Sequence, residues 1–199
     1  VPGVSTYIHP MGDSHLLTIG IAGDDEGLDW GVTQISIFDV SDFSNPTLAS
    51  SILLNPAPED SNGWSYSYSE ATYEHKAFQY WESDGILAIP MSTQRYFSDY
   101  KEIDGKMHYS SGYEYLSKLM LIKAEPGKDL EIYDEVDHSP FYDSKYWWDN
   151  PDVRRSIFME GGEYIYAISE KGITAHNVET MEQTGFVELP SNNKPSYSN

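Results

Sequence analysis

Three observations predict an all-β chain assembled from repeated four-stranded sheets. Short segments alternate apolar and polar residues with a period of two, as in "QISIFDV" at 34–40, which is how a half-buried strand reads. Clusters of turn formers stop them, here Ser-Asp-Phe-Ser-Asn-Pro at 41–46. The same succession of pieces then recurs three times along the 199 residues. Self-similar units of four short strands mark the blades of a β-propeller, so the predicted architecture is about three four-stranded blades forming part of a larger ring.

Each unit opens on strand, Gly- or Asp-bearing turn, strand: "HPMGDSHLLTIG" (9–20), "FQYWESDGILAIP" (78–90) and "FMEGGEYIYAIS" (158–169). The second strands match as Leu17-Thr18-Ile19, Leu87-Ala88-Ile89 and Tyr166-Ala167-Ile168. Third strands follow at "QISIFDV" (34–40), "KLMLIKA" (118–124) and "GITAHNV" (172–178). Fourth strands follow those at "LASSILL" (48–54), "LEIYDEV" (130–136) and "TGFVELP" (184–190). The partial propeller then covers 1–190, with blade one at about 5–54, blade two at about 72–137 and blade three at about 153–190, before a polar tail at 191–199. A twisted sandwich is the competing reading of the same repeats.

Hydrophobic content of 39% is that of a globular chain. Sixteen Tyr and 5 Trp outnumber 7 Phe, which suits half-buried sheet faces with an apolar body and a wet edge. With 12 basic and 32 acidic residues the net charge is −20, so neither nucleic acid nor an anionic membrane surface is an expected partner. The absence of Cys excludes disulfides, thiolate metal sites and thiol nucleophiles. No apolar run approaches the ~20 residues of a membrane span, so membrane insertion is not expected.

Three longer strings, "GVTQISIFDVSDFSNP", "YSEATYEHKAFQYWESDGILAIPM" and "RRSIFMEGGEYIYAISEKGI", resemble the secreted prokaryotic beta-propeller domain family distantly related to WD repeats. The resemblance runs roughly from Pro2 to Pro190, with Glu74 standing where the family pattern has Asp. It implies a propeller fold, longer relatives that carry these strings toward their C-terminal end, and a secreted or otherwise extracytoplasmic location. It brings no established activity and no catalytic residues. Three blades do not close a ring. The remaining blades are therefore expected from a preceding segment or another chain, and a homo-oligomer of two copies making six blades is one such geometry.

Loop lengths locate function. Turns within hairpins on one side of the disc are short, whereas 21–31, 55–72, 92–114 and 138–152 are long and are predicted to share the opposite surface, where a rigid scaffold carries binding sites. The first of these holds Asp24, Asp25 and Asp29, candidate ligands for calcium, although the spacing fits no EF-hand and a solvated acidic loop is the plainer reading. The others carry aromatic candidates for ligand binding, Trp64, Trp147 and Trp148 among them, with Tyr96, Phe97, Tyr100, His108, Tyr109 and Tyr113 in 92–114; packing of the loops over the blade tops accounts for them equally well. Where innermost strands begin, Glu70 and His75 of blade two come near Arg154 and Arg155 of blade three. Those groups suit a polar or anionic ligand, or a metal on His75 and Glu70; they equally suit ion pairs between blades.

Catalytic signatures such as G-x-S-x-G or a P-loop are absent. The favoured function is a non-catalytic extracytoplasmic scaffold that binds a protein, glycan or cation through the long-loop face. The alternative is a hydrolase or lyase with its site at the channel mouth. A scaffold predicts mouth groups that satisfy one another and aromatics turned outward or buried by a partner. An enzyme predicts His75 and a carboxylate flanking one vacant point.

Overall fold

A computed structural model of the chain describes residues 3–24, 27–54, 64–141 and 151–190. Its strands form three antiparallel sheets. Blade one is β1 (Val4–Met11), β2 (His15–Asp24), β3 (Gly27–Asp39) and β4 (Thr47–Leu54), paired in that order. In blade two, β5 (Trp64–Tyr68) and β6 (Gln79–Trp81) both pair with β7 (Ile86–Ile103), which is followed by β8 (Lys106–Lys123) and β9 (Glu131–Asp137). Blade three is β10 (Val153–Met159), β11 (Tyr164–Ser169), β12 (Gly172–Asn177) and β13 (Gln183–Glu188). The four-strand repeat is thus a real structural unit, and the fold is that of a partial β-propeller. No helix among the described residues is long and apolar enough to cross a membrane.

Two apolar seams join the blades. Leu17, Ile19, Ile35 and Ile37 of blade one pack with Leu87, Ile89 and Ile122 of blade two. On the other side of blade two, Ile86, Ala88, Leu119 and Leu121 pack with Phe158, Ile165 and Ala167 of blade three. Blade two is covered on both faces, and for that reason Ile86–Met91 is a continuous apolar run with no alternation to reveal its register. The matched strings align it one residue out. Leu17 and Ile19 look forward to the next blade, whereas Leu87 and Ile89 look back; the forward-looking pair of blade two is Ile86 and Ala88. Because the side-chain period is two, that single step exchanges the faces.

The long insertions are built differently from the loops expected. Residues 21–31 are largely the end of a hairpin, with Ala22, Gly23 and Asp24 paired to Asp29, Leu28 and Gly27. The 92–114 insertion is a two-stranded arm, in which β7 and β8 run 18 residues each. They meet at Asp104 and Gly105, with φ of 53° and 73°, the positive pair that a two-residue hairpin turn of matching twist requires. Part of 55–72 is strand β5, so the second sheet starts ahead of the expected boundary near 72. Between β5 and β6 the chain makes 3-10 turns at Glu70–Thr72 and His75–Ala77 in place of a continuous innermost strand. Ser69 and Glu74 cap them by accepting from the amides of Ala71 and Lys76.

The described parts of the four insertions do share one side. Ser67 Oγ donates to Gly31 O at 3.1 Å, Trp64 packs edge-on to Tyr113, and Ser92 at the base of the arm donates to Asp152 at 2.6 Å. The expected tail at 191–199 lies outside the described residues.

Candidate functional site

The polar cluster at the blade two–blade three junction begins with the Ser69 cap, whose hydroxyl also donates to Pro90 O at 2.6 Å and so pins the turn to β7. Glu70, the first residue of that turn, is 8% exposed. Across the junction the register of β10 shifts between Val153 and Arg155. Such a bulge breaks the strict alternation of sides, and both consecutive arginines reach the same carboxylate. Arg154 donates to Glu70 through Nε and, at 3.2 Å, through Nη2; Arg155 donates through Nη1 at 2.7 Å. Burial pushes the Glu70 carboxyl up, but hydrogen bonds and charge from the two guanidiniums outweigh it and hold its pKa below the ordinary value. Secondary ion pairs at 3.8 Å link Arg155 to Glu74 and Arg154 to Glu170.

Asp152 lies beside this clasp and behaves in the opposite sense. Burial raises its pKa, only partly countered by the hydrogen bond from Ser92 and the charge of Arg154. Tyr115 OH donates to the same carboxylate oxygen, so two residues at the base of the arm are tied to the entry of blade three.

His75 does not join the cluster as expected. Its side chain is 69% exposed and its ionic neighbour is Glu74, with Nδ1 3.7 Å from Oε1, not Glu70. The cause is local: His75 sits in a capped 3-10 turn, where the period-two argument that aimed it at the channel does not apply. No three His, Asp or Glu side chains among the described residues gather as metal ligands. Of the calcium candidates, Asp29 turns back on its own chain and accepts from Gly31 N at 3.0 Å. Asp25 and the Asp24 side chain lie outside the described residues, as do Trp147 and Trp148.

The aromatic candidates that are described come together on the arm. Trp64 is 50% exposed on β5, and its cross-strand neighbour is Tyr96. Tyr96 faces Tyr113 with ring centroids 5.1 Å apart, and Tyr100 faces Tyr109 at 4.9 Å. The hydroxyls of Tyr96 and Tyr109 are 3.5 Å apart, which puts all four rings on one face of the ribbon. The reverse face bears the Arg95–Glu114 ion pair together with Asp99 and Lys101, 3.5 Å apart. Reading 92–114 as a loop missed this ladder, yet the signal was present. Asp-Gly is a strong hairpin turn, and Tyr96, Tyr100, Tyr109 and Tyr113 are placed symmetrically about it.

The arrangement therefore has two parts of different chemical character. The junction cluster is a set of charges already committed to one another across a blade boundary. The arm is a two-stranded ribbon on which Tyr100, Tyr109 and Tyr113 are exposed and Tyr96 is half-buried. In comparison with known proteins, the family model for the Beta propeller domain matches residues 1–181. An uncharacterized protein of Methanocaldococcus jannaschii is 31% identical over 177 residues, 89% of this chain and 20% of that protein. The chain thus spans about a fifth of the length of this curated relative.

Proposed function

Since the chain belongs to the beta propeller domain family, we propose that it is a non-catalytic, extracytoplasmic propeller scaffold that binds its partner through the arm on the long-loop face. One contrast carries this reading: Glu70 is held by two arginines of the next blade, while the arm tyrosines stand 55–76% exposed at Tyr100, Tyr109 and Tyr113. A carboxylate in that state serves poorly as a free general base, and the hydrolase or lyase alternative needs it unpaired. Rigid exposed tyrosines supply contact area at low entropic cost. In the same reading further blades, from a preceding segment or another chain, cover the forward face of blade three. There Tyr166, Ile168, Ile173 and Ala175 lie on the side opposite Ile165 and Ala167, as Leu17 and Ile19 do in blade one.

The test uses a variant in which residues 97–112 are replaced by Asp-Gly, joining Tyr96 to Tyr113 through a short turn. Leaving aside Phe97, whose side chain lies outside the described residues, the deleted segment is almost wholly exposed and contributes no side chain to either seam. Its removal is expected to move the melting temperature by no more than about 3 °C, equivalent to roughly 1 kcal/mol in a chain of this size. Both proteins are then applied to glycan and protein arrays. Signals lost with the arm support the reading; signals that persist without it, or glycan cleavage by either protein, overturn it.

A further inference from the structure

Resting on the reading above, we propose that the tyrosine face of the arm is a platform for a neutral polysaccharide. The face is made of Tyr96, Ser98 and Tyr100 on β7 opposite Tyr113, Ser111 and Tyr109 on β8. The two tyrosine pairs are four residues apart, about 13 Å by strand rise, with a serine pair between them. The row continues on β5 to Trp64, 6.3 Å from Tyr113.

Charge decides among ligands. Residues 92–114 contain three basic groups (Arg95, Lys101, Lys106) and four acidic ones (Asp99, Glu102, Asp104, Glu114), a net of −1, whereas the whole chain carries −20. The remainder therefore holds −19. Strand alternation sends Arg95, Asp99 and Lys101 to the reverse side, with their cross-strand neighbours Glu114, Ser110 and His108. Only at the tip does a charge, Glu102, share the side of the tyrosines. A face whose one charge lies at its tip, on so acidic a protein, suits an uncharged ligand. An anionic polymer is repelled by the protein as a whole, and a cationic one is drawn to the acidic surface elsewhere. The residue types complete the argument. Phenol rings offer flat apolar faces to sugar C–H groups while their hydroxyls, with those of the serine pair, are the donors and acceptors that sugar hydroxyls match. A dry protein surface is better matched by Leu, Ile or Phe, none of which is among these six.

The intact chain is run through native gels containing a soluble neutral glucan, mannan or galactan, or dextran sulfate as the anionic control. Retardation is expected with at least one neutral polymer and not with dextran sulfate. Tyr100→Ala/Tyr109→Ala is expected to weaken it at least tenfold with an unchanged melting temperature, whereas Lys101→Ala on the reverse side leaves it as it was. The proposal is overturned by no retardation in all three neutral polymers, by retardation that the double variant retains, or by stronger retardation in dextran sulfate. Array signals that depend on the arm but come from proteins alone overturn it too, and leave the binding-scaffold reading standing.

Discussion

Glu70→Gln is expected to destabilise the chain by about 2 kcal/mol and to lower the melting temperature by about 4–8 °C. The figure lies between two limits. Exposed ion pairs contribute less than about 1 kcal/mol, and breaking a fully buried one costs about 3–5 kcal/mol. Glu70 is nearly buried, but the side chains of Arg154 and Arg155 are 45% and 32% exposed and recover part of their hydration when the partner charge goes. Thermal unfolding of Glu70→Gln, Arg155→Ala and the double variant measures the coupling directly. The double variant is expected to fall short of the summed single effects, since both remove the same contact. A melting temperature unmoved by Glu70→Gln would mean that the carboxylate is not a structural clasp, and would return it to the list of chemically available groups.

Acid is expected to loosen the junction from a different point. His138, just after β9, is fully buried, and its Nε2 lies 3.0 Å from Thr174 Oγ1 on β12. Its ring is against Phe141, which is stacked in turn on Phe186, so the imidazole sits in an apolar wall between blades two and three. Burial, with the nearby His176 adding to it, lowers its pKa from 6.5 to about 4. His176 is lowered in the same direction, again chiefly by burial. Below pH 6.5 the unfolded chain takes up a proton that the native ring refuses until about pH 4. Stability is therefore full above pH 6.5, declines as pH falls through this window and levels off below it. The His138 contribution to that decline is about 3 kcal/mol, at 1.36 kcal/mol per unit. Denaturant unfolding at pH 7 and pH 4 of the wild type and of His138→Gln isolates it, because the titrating acids act on both proteins alike. Equal losses in the two would show that His138 titrates as an ordinary exposed imidazole.

The sheets were legible because period two and turn chemistry are local properties. "QISIFDV" ending in Asp-Phe-Ser-Asn-Pro reads as the third strand and corner it forms. What failed was whatever depends on a neighbour. Ile86–Met91 gives no register, since blades one and three cover its two sides. Residues 69–77 look like the start of a strand until Ser69 and Glu74 use their side chains to cap turns, and His75 leaves the channel with them. The convergence of Arg154 and Arg155 on Glu70 is what alternation forbids and a bulge allows. On the arm the error was of a different kind, since the Asp-Gly turn and the spaced tyrosines were visible and were outweighed by the length of the insertion.

The pairing order within the sheets has a consequence for how the molecule assembles. Among the described residues, every ladder apart from the β5–β7 junction joins strands adjacent in the chain, and no strand crosses from one blade into another. Each sheet can zip from its own hairpins, over short loops that close quickly, before the next has been synthesised. Burial of the seams comes afterwards, as finished ribbons collide face to face. Within a sheet the closures are local, and it is the seams between sheets that carry the more distant contacts, where loop-closure entropy weighs most.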